Sequence, residues 1–174
     1  MEAHWRQNGI PPSDMHAIQA FVGGSSGIRD SVPVLSLADL LPMAQGEPID
    51  YLDLDVQSAE LDVLAAPGAA ALLRTSVRRI QVGTHSTEIH TRIKELLVQP
   101  YDGRGGGGFI LEHELPYNPR SAECDYSVKA SVQQDSSCLV STPQGPVYVR
   151  DGVLALTNAD PRVWPGNRLP ASLW

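Results

Sequence analysis

The chain has 174 residues, the length of a single domain. Hydrophobic residues make up 42% and charged residues 19%, which is enough apolar side chain for a core and too little charge for a disordered chain. The net charge of −7 leaves no basic surplus to neutralise phosphates, so the composition argues against a nucleic-acid partner.

Strands and helices alternate through the first 97 residues. Residues 16–22 predict a short strand, and a helix capped by Ser36 is predicted to end before Pro42. Residues 49–56 form the clearest strand pattern, and helical turns follow at 59–65 and 69–73. This alternation predicts an α/β fold whose sheet is mostly parallel and covered by helices.

The second half of the chain is predicted to be rich in β-structure. A strand at 77–82 leads into an amphipathic helix, which Ser86 or Thr87 caps and whose apolar face carries Ile89, Ile93, Leu96 and Leu97. Further strands are predicted at 109–115, 126–132 and 146–156, with no helix between them. The predicted order is therefore α/β first, followed by a β-rich end.

Acidic side chains cluster where the predicted strands end. Asp53 and Asp55 share one face of their strand, and Glu60 follows at the start of the next helix. Thr84 and His85 come directly after the next strand. Because ligands bind beyond the carboxyl ends of parallel strands, these residues are predicted to share one rim.

Two glycine-rich segments suggest nucleotide binding only superficially. Residues 103–108 match G-x-G-x-x-G but lie between a helix and a strand, which reverses the order that a dinucleotide site needs. Residues 22–29 look like the cofactor loop of short-chain dehydrogenases, a family that needs a Tyr four residues before a Lys. Neither lysine has a Tyr at that position, because His90 lies four residues before Lys94 and Asp125 lies four residues before Lys129. A dehydrogenase is therefore only the third functional hypothesis.

Residues 49–64 resemble the fourth-strand motif of FkbM-family methyltransferases. Asp55, Gln57, Ala59 and Glu60 match that motif, and Ser58 stands where the family has Gly. Residues 77–89 are similar to the fifth strand and following helix of one branch of the family, and residues 142–158 to its last strand. The similarity covers most of residues 5–160.

The resemblance implies a Rossmann-like class I methyltransferase fold with strand order 3-2-1-4-5-7-6. It also implies S-adenosylmethionine as the methyl donor and O-methylation of a sugar or other small hydroxyl-bearing acceptor. Strands one and two, which hold the donor in this class, have no counterpart here. We therefore expect an incomplete, truncated domain at 1–160, inactive as it stands if donor binding needs those strands, and a Pro-rich tail at 161–174.

The missing strands lead to predictions about partners. They leave strand 49–56 with an open edge and strand 16–22 without a partner, and an open edge favours homo- or hetero-oligomers. The rival to an enzyme is accordingly a non-enzymatic binding or assembly module that kept the fold and lost the donor site. A small-molecule acceptor is the partner expected of the enzyme.

Six residues are assigned to the site. Asp55, Glu60 and His85 are predicted to be catalytic, and Asp53, Gln57 and Thr84 are predicted to bind the donor. The alternatives are that Asp55 caps a helix, Glu60 is a solvated first-turn residue, Asp53 is an exposed strand residue and His85 caps the next helix.

No metal is expected, because His85 and His90 are spaced i, i+5 rather than i, i+4. Cys124 and Cys138 have no partner at metal-ligand spacing and predict free thiols. No signal-peptide pattern and no run of about 18 apolar residues is present, so we expect a cytoplasmic protein without membrane contact.

Overall fold

The computed structural model describes residues 11, 17–44, 46–98, 108–117, 139–142, 145–148 and 151–167. The strands are β1 (Phe21–Val22), β2 (Gly27–Arg29), β3 (Val32–Leu35), β4 (Leu52–Leu54), β5 (Arg79–Thr84), β6 (Phe109–Leu115), β7 (Leu139–Thr142), β8 (Gly145–Tyr148) and β9 (Gly152–Asn158). The helices are α1 (Leu37–Leu40), α2 (Glu60–Leu64), α3 (Ala69–Ser76) and α4 (Thr87–Val98). The fold is thus mixed α/β, as predicted.

The main sheet has four strands in the order β4-β5-β9-β6. Only β4 and β5 are parallel, while β9 runs antiparallel to both of its neighbours. The prediction of a mostly parallel sheet was therefore wrong, and the sheet is mixed. Helices α2 and α3 provide the crossover that parallel pairing of β4 and β5 requires, whereas β9 enters between β5 and β6 in the opposite direction.

The core forms between this sheet and the helices. Along β5, buried and half-buried residues alternate, whereas the central strand β9 is buried at nearly every position. Fully buried side chains from sheet and helices fill the space between them: Leu64, Leu73, Ile80, Val82, Ile93, Leu97, Leu154 and Leu156. The sheet is thereby held rigidly against α4, which fixes the rim where β4 and β5 end.

A separate three-stranded sheet precedes the main one, in the order β1-β3-β2. The predicted strand at 16–22 is reduced to β1, and the expectation that it lacks a partner was wrong, because Phe21 and Val22 pair in parallel with β3. Asp30 and Ser31 both have positive φ and make the two-residue turn between β2 and β3. The N-cap at Ser36 is confirmed, and its backbone N–H donates to Asp39 Oδ2 at 2.8 Å.

Several predicted boundaries shift. The strand predicted at 49–56 narrows to β4, although Ile49 still forms an isolated parallel bridge with Val77. The strand predicted at 146–156 is divided into β8 and β9. The strand at 109–115 and the helix capped by Ser86 are confirmed. The predicted strand at 126–132 and both cysteines lie outside the described residues.

After β9 the chain makes two short 3-10 turns, at Pro161–Val163 and Pro165–Asn167. Val163 and Trp164 are buried, and the Trp164 indole N–H donates to the carbonyl of Asn158 at 3.0 Å. These turns therefore pack against the domain. The division predicted at residue 160 stays a prediction.

Across the described part of the chain, no helix combines the length and the apolarity that crossing a membrane requires. The predicted cytoplasmic location remains a prediction.

Candidate functional site

Three of the predicted site residues meet at the carboxyl ends of β4 and β5. Asp55 follows β4, Glu60 begins α2, and His85 follows β5. One potential ligand atom from each of the three lies within 4.8 Å of the others. They meet because β4 and β5 are parallel neighbours in register, with Leu54 opposite Val82, so both strands end at the same edge.

Glu60 is completely buried, at 0% exposure. Its Oε1 accepts hydrogen bonds from the backbone N–H groups of Val56 at 2.9 Å and Ser58 at 3.3 Å, and lies 3.0 Å from His85 Nδ1. Among the described residues, Oε2 has no hydrogen-bond partner. The side chain therefore stabilises the loop before α2 and also contacts the imidazole, and one carboxylate oxygen remains uncompensated.

The His85 ring lies between several carboxylates. Its Nδ1 faces Glu60, while Nε2 is 3.3 Å from Asp55 Oδ1 and 3.9 Å from Asp151 Oδ2. Nε2 is buried and has no hydrogen bond to any described residue. Asp55 and Asp151 are partly exposed, with 57% and 40% of their side chains accessible, so the site opens to solvent on the Nε2 side.

Gly83 allows the Asp55 carboxylate to lie against β5. A Cβ atom at Gly83 would stand 3.3 Å from Asp55 Cγ, tighter than most real contacts. The Gln57 amide donates to Asp55 Oδ1 at 3.1 Å and fixes that carboxylate from its other side. The position of Asp55 thus depends on both strands and on the loop between β4 and α2.

The loop between β4 and α2 has an unusual backbone. Gln57 and Ser58 have φ values of 53° and 78°, in the left-handed region that favours glycine. Ser58 stands where the motif of the related family has Gly, and its conformation explains that preference. The turn brings the Ser58 N–H within 3.3 Å of both Glu60 Oε1 and His85 Nδ1.

The predicted donor-binding residues lie in three different environments. Asp53 is exposed on β4, and Gln57 is exposed in the left-handed turn. Thr84 is fully buried at 0% exposure, and its hydroxyl is 2.8 Å from His90 Nδ1. The structure thus joins Gln57 to the central cluster and turns the Thr84 side chain into the protein interior.

Sequence reasoning missed a second charged group beside Thr84. His90 Nε2 is 3.0 Å from Glu114 Oε1, and Lys94 Nζ donates to Glu114 Oε2 at 2.7 Å. The Lys94 bond, followed by the His90 contact, lowers the pKa of Glu114 below its usual value. Only the packing of α4 against β6 brings His90 and Lys94 to Glu114.

An open cleft of about 740 Å³ lies next to the cluster. Part of its wall is formed by Ser58, which belongs to the loop between β4 and α2, and by Ser86, which follows His85 in the chain. The other lining residues combine an apolar surface with two carboxylates: Gly24, Ser25, Leu61, Asp62, Ala65, Ala66, Pro67, Glu88 and Ile89. Asp62 also accepts a hydrogen bond from the Gly24 N–H at 2.9 Å, which joins the N-terminal sheet to α2.

Comparison with known proteins shows the family to which the chain belongs. The model of the methyltransferase FkbM domain matches residues 6–114, well over half of the chain. A protein named "Putative methyltransferase" from Jannaschia sp. (strain CCS1) is 30% identical over 92 residues, which cover 53% of this chain and 29% of that protein. No solved structure gives a significant match. The cluster of Asp55, Glu60 and His85 therefore lies within the matched region of a chain that belongs to the FkbM methyltransferase family.

Proposed function

We propose that this chain takes part in S-adenosylmethionine-dependent methyl transfer to a hydroxyl oxygen of a small acceptor such as a sugar. The observation that carries the proposal is the meeting of Asp55, Glu60 and His85 at the ends of two parallel strands in a chain of this family. The chain spans less than a third of the curated relative named above, so the activity of the whole protein forms part of the proposal.

The strand order supports a Rossmann-like fold. With β4 and β5 taken as strands four and five and β9 as the last strand, the order β4-β5-β9-β6 reads 4-5-7-6. That is the second half of the order which the resemblance implies. An antiparallel last strand also explains why the sheet is mixed. On this proposal the site lies at the carboxyl edge, where such folds bind their ligands.

The cleft beside the cluster suits the donor in size and charge. Its volume of about 740 Å³ falls in the usual range for small-molecule sites. Asp62 and Glu88 line it together with apolar side chains, and the described residues of its wall include no lysine or arginine. When bound, S-adenosylmethionine would supply the methyl group from a positively charged sulfonium, which an acidic wall favours.

The cluster can accept the proton that the acceptor hydroxyl loses. His85 Nε2, which is buried but lies 3.3 Å from the partly exposed Asp55 carboxylate, takes the proton, while Glu60 holds Nδ1 and stabilises the imidazolium. Asp55 hydrogen-bonds the acceptor hydroxyl and orients it toward His85. Of the residues predicted to bind the donor, the exposed Asp53 and Gln57 are kept as proposed contacts outside the cleft wall. Thr84 is not, because it is fully buried and its hydroxyl lies 2.8 Å from His90 Nδ1.

Two measurements test this function. Calorimetry with S-adenosylhomocysteine should show binding to the folded 174-residue chain. Transfer of labelled methyl groups to a panel of monosaccharides should fall by about 100-fold or more in His85→Gln. The matched control is His113→Gln, an exposed histidine on β6, which should keep the wild-type rate. A folded chain that binds no S-adenosylhomocysteine, or an unchanged rate in His85→Gln, would contradict the proposal.

A second candidate, an assembly module, is favoured by the edge of the main sheet. In the described part of the chain β4 pairs with β5 alone, so its other edge carries free backbone donors and acceptors. Sedimentation analysis over a range of concentrations separates the two candidates. Concentration-dependent association without S-adenosylhomocysteine binding supports assembly, and a monomer that binds S-adenosylhomocysteine supports the enzyme.

A further inference from the structure

The acids around His85 lack a cation that would balance them. Asp55, Glu60 and Asp151 surround one imidazole, and in the described part of the chain none of them forms an ion pair with a lysine or arginine. Glu60 is fully buried with Oε2 unpartnered, and His85 Nε2 is buried without a hydrogen bond to any described residue. Buried charges and polar atoms of this kind are costly unless something compensates them.

The geometry on the Nε2 side matches a coordination sphere. Two ligands bound at about 2.1 Å with angles near 90–110° are separated by roughly 3.0–3.5 Å. His85 Nε2 and Asp55 Oδ1 are 3.3 Å apart. Asp151 Oδ2 is 3.9 Å from Nε2, and its side chain is 40% exposed, so this carboxylate lies outside the tightest contacts and is the third ligand of the set.

Glu60 provides the support that a metal-binding histidine needs. A histidine that ligates a metal through one nitrogen commonly donates the N–H of its other nitrogen to a carboxylate, which fixes the tautomer and the ring orientation. The 3.0 Å contact between His85 Nδ1 and Glu60 Oε1 matches that arrangement. With the proton on Nδ1, the Ser58 N–H donates to Glu60 Oε1 rather than to His85 Nδ1, and the Nε2 lone pair is free for a ligand.

We propose that His85 Nε2, Asp55 and Asp151 bind one divalent transition-metal ion and that Glu60 positions the imidazole. Imidazole with two carboxylates is a donor set that suits Zn²⁺, Co²⁺ or Mn²⁺. The exposed side chains leave room for a water or an acceptor oxygen as a further ligand. Sequence spacing offered no such set, because the ligands come from three segments far apart in the chain.

His85 Nε2 cannot coordinate the ion and accept the proton of the acceptor hydroxyl at the same time. In the ion-bound chain, coordination would lower the pKa of the acceptor hydroxyl, and the imidazole would act as a ligand. Metal binding itself does not rest on the proposed methyl transfer, whereas this use of the ion does. The test therefore needs neither donor nor acceptor.

Equilibrium dialysis and visible absorption with Co²⁺ test the site on the full chain. We expect one Co²⁺ per chain with the absorption bands of a nitrogen- and oxygen-ligated ion. Asp55→Asn and His85→Gln should each weaken binding at least tenfold, and Glu60→Gln should weaken it by roughly 10–100-fold. The matched control is Asp53→Asn, which changes an exposed carboxylate on the same strand and should bind Co²⁺ as tightly as the wild type.

Circular dichroism melts establish that each variant is folded. Absence of stoichiometric Co²⁺ binding to the folded wild-type chain would overturn the proposal, as would equal affinity in Asp53→Asn and Asp55→Asn. Failure of S-adenosylhomocysteine to bind a chain that does bind Co²⁺ would overturn the methyltransferase proposal alone, so the two failures are distinguishable.

Discussion

The carboxylates at the two ends of the β5–β9 pair have different partners. Where β5 ends and β9 begins, Asp151 and its acidic neighbours face the single imidazole of His85. At the other end, Asp160 follows β9 and is held by Arg74 at 3.0 Å and by Arg162 at 2.5 Å. The same two strands thus carry an uncompensated acidic cluster at one end and an ion-paired carboxylate at the other.

The difference indicates which end is built for stability. Beside Asp160, the Asn158 side-chain amide donates to the carbonyls of Arg74 and Val77 at 2.7 Å, and its own Oδ1 accepts from the Asp160 N–H at 2.9 Å. These bonds tie α3 and the C-terminal turn to the sheet. We infer that the Asp160 end stabilises the fold. At the His85 end, we infer that the carboxylates are left without a pairing cation because they serve ligand binding.

The largest effect expected is from Gly152→Ala, at the His85 end of β9. A Cβ atom there would stand 2.3 Å from Thr84 Oγ1 and 2.7 Å from both His90 Nδ1 and the Tyr117 backbone nitrogen. Because a buried hydrogen-bonded network cannot move freely, we expect a loss of about 3 kcal/mol in the free energy of unfolding. Urea denaturation measures it.

Gly27→Ala is the matched control for that substitution. Gly27 also begins a strand, and no atom of the described residues lies within 4 Å of the Cβ position. Alanine there should leave stability unchanged or raise it by about 0.5–1 kcal/mol, because the unfolded chain loses freedom. Equal effects of the two substitutions would show that the Thr84–His90 contact is looser than the structure indicates.

The next largest effect is expected at the opposite end, from Asp160→Asn. The Arg162 hydrogen bond is the main cause of a pKa for Asp160 of about 2, below the ordinary value of 3.8. A shift of that size corresponds to about 2 kcal/mol of stabilisation, which is present above the ordinary pKa and lost as the pH falls through about 2. Asp160→Asn should therefore destabilise the chain by about 2 kcal/mol at neutral pH.

Denaturation at two pH values sharpens this prediction. Near pH 7 the free energy of unfolding of the wild type should exceed that of Asp160→Asn. At about pH 2 the difference should largely disappear. Asp50→Asn is the control, because Asp50 also pairs with an arginine but its side chain is 84% exposed, and its replacement should cost less than about 0.5 kcal/mol. A difference between wild type and Asp160→Asn that does not depend on pH would rule out ionisation as the cause.

The smallest effect is expected in the loop that holds Glu60. Ser58 has a φ of 78°, which a serine adopts at a cost and a glycine adopts freely. Ser58→Gly should raise the free energy of unfolding by up to about 1 kcal/mol and leave the hydrogen bond from the residue-58 N–H to Glu60 in place.

Ser25→Gly serves as the control for that loop. Ser25 is exposed, and its φ is not in the left-handed region. Glycine there should lower stability slightly, because it adds freedom to the unfolded chain. Destabilisation by Ser58→Gly in the same thermal melts would mean that the serine side chain itself stabilises the turn.

Local features of the fold could be predicted from the sequence because they depend on short-range patterns. The helix capped by Ser86 and the strand at 109–115 follow from apolar periodicity and from one capping hydroxyl. The strand at 32–35 could not be predicted in this way, since Pro33 and the apolar residues after it are also typical of the segment that precedes a helix. Its pairing with residues 21–22 depends on a contact between separate segments, which no local pattern encodes.

The candidate site could be predicted in part for the same reason. Asp55 and Glu60 follow one strand, and His85 follows the next, so a parallel pairing of the two strands was enough to bring them together. Asp151 was not among the six residues assigned to the site from the sequence. Its approach to His85 depends on β9 entering the sheet antiparallel, a direction that the alternation of strands and helices did not reveal.

The sequence by itself determined the α/β class, the family and the acidic strand end, because composition, periodicity and a local motif are read from neighbouring residues. Tertiary structure alone decided the mixed sheet, the burial of Glu60 and the partners of each histidine. His85 and His90 are five residues apart, yet one faces three carboxylates and the other is bonded to Thr84 and Glu114. Burial and charge balance depend on segments distant in the chain, and those are set only when the sheet forms.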